Sequence, residues 1–326
     1  MCGRRPPPTR AASRATQAGQ IASTATIASL QIGCAAQRRR ASAAVVVYGP
    51  RMSRRAFNDR TVVITGASAG IGLACARLFA QEGANVVAVA RGAPELERAR
   101  AELARLGPVL AIAADVAHPD SAERIVSGAI AQFGALHVLV NNAGMHARGL
   151  FGDQDTDDLA AMVDVNLRAP IVLTRHALPH LVASGHGAVV NVASLAGKIP
   201  TAGGVVYSAT KFGLRAFSMA LADELRGSGV TVSCVSPGPV DTQFIMAELD
   251  TVSDLTMSQP LVTAEDVAAL VLLSAQDGRP ERSTPRLSGA LATLGYIAPS
   301  VRRVLRPLLE RRGRRNKEKL RARPAR

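Results

Sequence analysis

Tyr207 and Lys211 carry the most pointed chemistry in this chain. Placed i, i+4 on a helix, the two side chains share a face and can converge. A free phenol titrates at about 10, too high for acid–base work at neutral pH. A nearby ammonium favours the phenolate and brings the phenol towards a working range. A second group of residues suits phosphate. Gly66-Ala67-Ser68-Ala69-Gly70-Ile71-Gly72 follows a β-branched apolar run and opens a helical stretch. Glycines allow a tight turn and close approach of backbone to a pyrophosphate, and the helix that follows offers free N–H groups and its positive dipole end.

These residues need a frame, and the periodicity supplies one. Residues 61–65, 85–90, 109–114, 136–141, 188–192 and 230–235 are Val- and Ile-rich runs that read as buried strands. Helical stretches lie between and after them, near 70–82, 94–106, 119–133, 156–183, 207–227 and 263–276. Strands alternating with helices imply βαβ units and a parallel sheet. The predicted class is α/β: a Rossmann-type doubly wound parallel sheet in three α/β/α layers, a single domain with basic tails. The expected division is 1–58 as a basic extension, 59–280 as the nucleotide-binding catalytic domain and 281–326 as a C-terminal extension. Residues 282–294 are expected to supply a last strand.

The motifs also fall in a recognisable order. Thr65-Gly66-x-x-x-Gly70-x-Gly72 is followed by Asp115-Val116, then Asn141-Asn142-Ala143-Gly144, Asn166, Ser194, Tyr207-Ser208-Ala209-Thr210-Lys211 and Pro237-Gly238-Pro239-Val240-Asp241-Thr242. This series resembles the short-chain dehydrogenase/reductase family over roughly residues 60–276. The resemblance implies a nicotinamide dinucleotide held by Gly66, Ser68, Gly70, Ile71 and Gly72. Asp115 and Val116 would meet the adenine, and Asn141, Ala143 and Gly144 would line the adenosine side. Pro237, Gly238, Val240 and Thr242 would hold the nicotinamide end. It further implies hydride transfer to or from a carbonyl carbon, with Tyr207 as acid/base and Ser194 donating a hydrogen bond to the same oxygen. Lys211 would bind the nicotinamide ribose as well as tune Tyr207, and Asn166 would anchor a water for proton relay.

Cofactor choice follows from charge. An acid at the end of the second strand suits a free ribose 2′-OH, whereas an Arg suits a 2′-phosphate. No acid lies between Glu82 and Glu95, and Ala90-Arg91 occupies the strand end. A guanidinium there can pair with or stack on the phosphate, so NADP(H) is the expected cofactor. By the resemblance, substrate enters between residues 195–204 and 244–260. In the second segment Phe244, Ile245, Met246, Leu249, Leu255 and Met257 predict an apolar, adaptable lid. The expected substrate is a small apolar ketone, aldehyde or secondary alcohol. The long helices 156–183 and 207–227 resemble those through which family members form homodimers and homotetramers.

Charge distribution excludes other classes. The 326 residues carry 39 Lys plus Arg against 25 Asp plus Glu, a formal charge of +14. Residues 1–58 hold 10 Arg and no acid, and residues 302–326 hold 12 basic residues against Glu310 and Glu318. Residues 59–301 carry 17 basic and 23 acidic residues, so the folded middle is mildly acidic and no nucleic-acid partner is expected. Only 3% of residues are aromatic and none is Trp, which leaves little for base stacking. Cys2, Cys34, Cys75 and Cys234 show no metal spacing and read as reduced thiols. His176 and His180 lack the Glu of a zinc helix, so no metal is expected. No apolar run reaches the ~18 residues of a membrane span, and a cytoplasmic location is expected.

The tails are less determined. Residues 1–58 fit a transit peptide, a weak signal peptide interrupted by Gln20 and Gln31, or a disordered extension, most of which a start at Met52 would place upstream of the protein; the disordered extension is preferred. Val301, Val304, Leu305, Leu308 and Leu309 recur at helical spacing among arginines. Residues 298–320 thus read either as a basic amphipathic helix for an anionic membrane surface or as a helix docked on the domain. Pro307 is expected to kink that helix and Gly313 to end it. An alternative to the enzyme is a nucleotide-sensing interaction protein of the same fold whose tails carry its contacts.

Overall fold

The computed structural model describes residues 56–246 and 249–322. The N-terminal extension through residue 55, with its basic residues, Cys2, Cys34 and Met52, lies outside the described residues. Seven parallel strands form one sheet: β1 (Thr61–Thr65), β2 (Asn85–Ala90), β3 (Val109–Ala113), β4 (Val138–Asn141), β5 (Gly187–Val192), β6 (Val230–Pro237) and β7 (Glu281–Thr284). The helices are α1 (Gly70–Gln81), α2 (Ala93–Leu103), α3 (Ser121–Phe133), α4 (Thr156–Val163), α5 (Ala169–Ala183), α6 (Val205–Glu224), α7 (Gln243–Met246), α8 (Asp254–Met257), α9 (Ala264–Asp277), α10 (Arg286–Ile297) and α11 (Pro299–Arg321).

All five residues of β1 are buried, as a strand covered on both faces requires. Val62 and Ile64 enter one apolar layer and Val63 the other. The first layer packs against Cys75 and Phe79 of α1 and against Val267 and Val271 of α9. The second packs against Ile125 and Ala129 of α3 and against Leu173 and Leu181 of α5. The result is the expected three-layer sandwich. Strand order is β3-β2-β1-β4-β5-β6-β7, so the chain winds outward from β1 and then restarts at β4 on its other side. That reversal opens a crevice at the carboxyl ends of β1 and β4, the place where open α/β sheets bind ligands.

The long stretch 156–183 is helical throughout but not uniform. Asp164–Arg168 forms a π-turn between α4 and α5, with the Ala169 N–H reaching the Asp164 carbonyl. Single π-turns of this kind concentrate at functional sites, and this one contains Asn166.

The C-terminal expectations need correction. The strand is shorter than 282–294: β7 ends at Thr284, and Arg286–Ile297 is helical. Leu287, Leu291 and Leu294 repeat at intervals of four and three, which is helical rather than strand spacing. The domain boundary at 280 also moves, because β7 pairs with β6 and belongs to the sheet. Neither Pro307 nor Gly313 interrupts α11. Pro307 is exposed, so the Arg303 carbonyl it leaves without a donor can take water. Gly313 is buried against α8, and its missing Cβ lets the two backbones touch.

Candidate active site

The glycine turn leaves β1 and enters α1. Gly66 and Gly70 adopt φ of +69° and +53°, a region that side chains other than glycine rarely take. Gly72 is fixed by space instead: a Cβ there would lie 2.6 Å from both the Gly66 carbonyl carbon and Asn142 Nδ2, with the Gly66 oxygen closer still. Helix α1 starts without a side-chain cap and without an acid in its first turn, so its N–H groups and dipole are left for an anion. Thr65 locks the turn to the end of β4, its Oγ1 accepting the N–H groups of Asn142 and Ala143, both at 3.0 Å. Asn142 Nδ2 donates to the Thr65 carbonyl at 2.9 Å.

A cleft of about 370 Å³ opens over these strand ends. Gly66, Gly70, Ile71, Ala143 and Gly144 form one wall, and Pro237, Gly238, Val240 and Thr242 another. Ser194, Tyr207 and Lys211 lie in the same cleft. Ser194 follows β5 and caps a short 3-10 turn, its Oγ accepting the Ala196 N–H at 3.1 Å. That leaves the hydroxyl proton to donate. Tyr207 and Lys211 sit on the first turns of α6, and the Tyr207 phenol is hydrogen-bonded with Ser194. Lys211 Nζ donates to the Val192 carbonyl at 3.0 Å and stands 5.7 Å from the Tyr207 ring centre.

The electrostatics differ from the expectation that Lys211 lowers Tyr207. Burial raises the phenol, while the Ser194 hydrogen bond and the Arg148 charge pull it down. The Lys211 ammonium is turned to the Val192 carbonyl, and burial brings its own pKa down to about 8. Tyr207 therefore keeps its proton at neutral pH.

Asn166 is fully buried and stands behind the cleft wall. Its Oδ1 accepts the Met145 N–H at 2.9 Å, and its Nδ2 donates to the Met145 carbonyl at 2.8 Å. It meets the site across Gly144, where a Cβ would fall 3.2 Å from Asn166 Oδ1 and 3.6 Å from Lys211 Nζ. Asn141 turns away altogether: its Nδ2 donates to Thr174 Oγ1 and Asn191 Oδ1 inside the core. Ser68 and Gly72 belong to the turn without lining the cleft. Arg91 and Asp115 are exposed at the ends of β2 and β3, with Val116 half-buried beside them, further out along the sheet. The Ala67 N–H donates to the Val89 carbonyl, which holds the glycine turn two residues from Arg91.

Two cleft residues have no sequence signal. His146 stacks on Tyr207 with ring centres 4.0 Å apart and planes 12° apart. Burial, with help from the charges of Arg148 and Lys211, brings it down to about 3, so it stays neutral. Its Nε2 and the Oε1 of Gln259 are buried without a hydrogen-bond partner. Only the fold could bring them to the site, since neither belongs to any of the ordered motifs. No cluster of metal-binding side chains occurs among the described residues.

A sequence profile described as short chain dehydrogenase matches residues 60–252. The chain belongs to the short-chain dehydrogenase family. It is 35% identical to the ketoacyl reductase HetN of a Nostoc species, across 77% of this chain and 89% of that protein. It is also 35% identical to a cis-4-hydroxycyclohexanecarboxylate dehydrogenase of Sinomonas cyclohexanicum, across 68% of this chain and 91% of that protein. The crystal structure of a metagenomic short-chain oxidoreductase in complex with NADP aligns with a TM-score of 0.60 and 33% identity, covering 70% of this chain and 97% of the other. The helix that carries Tyr207 and Lys211 borders the cleft over the strand ends. In this family setting the glycine turn, the bare start of α1 and the cleft beside them fit a dinucleotide.

Proposed function

We propose that the protein is an NADP(H)-dependent oxidoreductase that interconverts a small apolar carbonyl compound and its secondary alcohol. The observation that carries this reading is the meeting of Tyr207, Ser194 and Lys211 with the glycine turn in one cleft. When bound, the nicotinamide nucleotide supplies or accepts hydride at the substrate carbon. The chain's own groups manage the oxygen. Tyr207 holds a proton at its Oη because burial raises it, which suits delivery to a carbonyl oxygen in reduction. The Ser194 hydroxyl donates to the same oxygen and fixes its direction. Lys211 keeps two donors beyond its bond to Val192, which would serve a ribose. Asn166, through Met145 and Gly144, positions the wall opposite Lys211.

Gly66, Gly70 and Ile71 would hold the pyrophosphate, with Ser68 and Gly72 shaping the turn. Arg91 would take the 2′-phosphate, with Asp115 and Val116 at the adenine. The lid residues Ile245 and Val252 in the cleft wall support an apolar substrate. Exposed Ile171, Val182 and Met219 on α5 and α6 support assembly as a homodimer or homotetramer. The test is a panel of apolar ketones, aldehydes and secondary alcohols assayed with NADPH and NADH. NADPH should support turnover, Tyr207→Phe should abolish it while retaining nucleotide binding, and Arg91→Glu should shift preference to NADH. Undiminished turnover in Tyr207→Phe would remove the acid–base role.

A further inference from the structure

The C-terminal helices have two unlike faces. The inner face of α11 is committed to the domain. Arg302 donates to the Pro200 carbonyl, Gly313 lies against Asp254, Lys317 pairs with Asp254 at 3.2 Å, and Leu320 is buried beside Met257. The opposite face is left in water. On α10, Leu287, Leu291, Leu294 and Ile297 share one arc of the helix and are 52–74% exposed. After the single linking residue Ala298, α11 adds Val304, Leu305 and Leu308, 45–79% exposed. Scattered exposed apolar residues are ordinary, but seven on two consecutive helices that pack on each other mark an interaction surface.

Charge identifies the occupant. One to three turns beyond Leu308, the same face of α11 carries Arg311, Arg312, Arg315 and Lys319, all exposed and none paired with a carboxylate among the described residues. A second copy of this chain seated on the patch would bring the same unpaired cations against these. A nucleic acid would find phosphate partners but a bed of aliphatic side chains, with Tyr296 the one aromatic of the two helices. An apolar strip adjoining a run of arginines matches acyl chains beneath anionic headgroups. We propose that α10 and α11 form a docking face for an anionic phospholipid bilayer, on which the enzyme lies peripherally. No helix among the described residues is long and apolar enough to cross a membrane, so the contact is interfacial.

The docked face also borders the cleft entrance. Ile199 packs at Gly295 of α10, and Ile199 and Thr201 line the cleft. The bilayer would therefore lie beside the opening of the cleft.

The test uses the full chain and vesicles of phosphatidylcholine with or without about one-third phosphatidylserine. Because residues 1–58 hold ten arginines of their own, the comparison is between variants of the whole protein. The wild type should co-sediment with the anionic vesicles and only weakly with neutral ones. Arg311→Glu/Arg312→Glu/Arg315→Glu should weaken partitioning at least about a hundredfold, and Leu291→Asp/Leu308→Asp at least about tenfold. These positions are exposed, so melting temperatures should hold. The natural chain has no Trp, so Leu308→Trp provides a single reporter whose emission should shift to the blue on anionic vesicles and be quenched by brominated acyl chains. Failure of the wild type to bind, or equal binding by both variants, would overturn the proposal. So would an unshifted Leu308→Trp emission on bound protein, or a patch variant that changes the oligomeric state and leaves vesicle binding intact.

Discussion

Gly313→Ala separates local preference from tertiary packing. In a helix interior, Ala is favoured over Gly by about 1 kcal/mol, so propensity alone predicts a more stable protein. The structure predicts the opposite sign. A Cβ at Gly313 would fall 2.5 Å from the Asp254 carbonyl carbon and 3.0 Å from its Cα, with the carbonyl oxygen closer still. Ordinary carbon contacts need roughly 3.5–4.0 Å, so α11 must retreat from α8 by about 1 Å. Such a gap forfeits up to about half of the contact energy of the buried Leu320, about 1 kcal/mol. It also stretches the Asn316 bond to the Met257 carbonyl, now 2.8 Å, and the Lys317–Asp254 pair, together about another 1–2 kcal/mol. Net of the propensity gain, the variant should lose about 1–2 kcal/mol, within the range of overpacking in general. Because α11 can peel away locally, the loss belongs to that contact rather than to global unfolding. Amide exchange at 254–257 and 313–320 should accelerate about tenfold, since about 1.4 kcal/mol is one decade. KM should rise, because Thr251, Val252, Ser253 and Thr256 line the cleft. Pro307→Ala is the control: it sits on the same helix, exposed, and should stabilise it. If Gly313→Ala also stabilises, or leaves exchange at 254–257 unchanged, the close seating of α11 on α8 is wrong.

Three further outcomes are expected. His146 is held near 3 when folded against 6.5 when free, so the unfolded chain binds its proton first as pH falls, and stability drops below about pH 6.5. Between pH 7 and pH 5 the wild type should lose about 2 kcal/mol more than His146→Phe, which keeps the stack without the titration, as read by urea unfolding. Equal acid sensitivity would remove the buried neutral imidazole. Gly72→Ala should push the glycine turn off Asn142, costing about 1–3 kcal/mol and weakening NADPH binding at least tenfold by fluorescence titration, with approximately no change expected only if the turn is looser than it stands. Thr65→Val should leave the Asn142 and Ala143 N–H groups without their acceptor, lowering stability by about 1–3 kcal/mol in thermal unfolding.

The nucleotide end of this protein was legible because its requirements are local. Gly66 and Gly70 are needed for their own φ angles, and β1 and α1 declare themselves by adjacent runs of β-branched and helix-forming residues. Tyr207 and Lys211 are one helical turn apart, so spacing alone puts them on a common face. Where the sequence misleads, the deciding contact is distant. Asn141 belongs to a motif, yet its register partner Asn191, fifty residues away, and Thr174 draw its side chain into the core. Gly313 looks like a helix end until Asp254 is seen against it, and His146 looks like a loop histidine until Tyr207 lies over it.

The same division separates the two halves of the chemistry. The ordered motifs run from Thr65 to Thr242 and are set by residue type and local spacing. The cleft-lining segment that includes Thr251, Val252, Ser253 and Thr256 is instead held by α11, through Asp254 to Lys317 and Arg314 and through Asp250 to Arg321, pairs 60 or more residues apart. Changes in α11 can therefore move the cleft wall without touching a motif residue. In this chain that support is a helix whose other face is apolar and basic, so a surface that binds α11 from outside acts on the same element that sets the cleft from inside. Turnover of an apolar carbonyl compound should respond to anionic vesicles through KM rather than through the Tyr207 step, and a vesicle effect confined to kcat would argue that α11 and the lid are not mechanically joined.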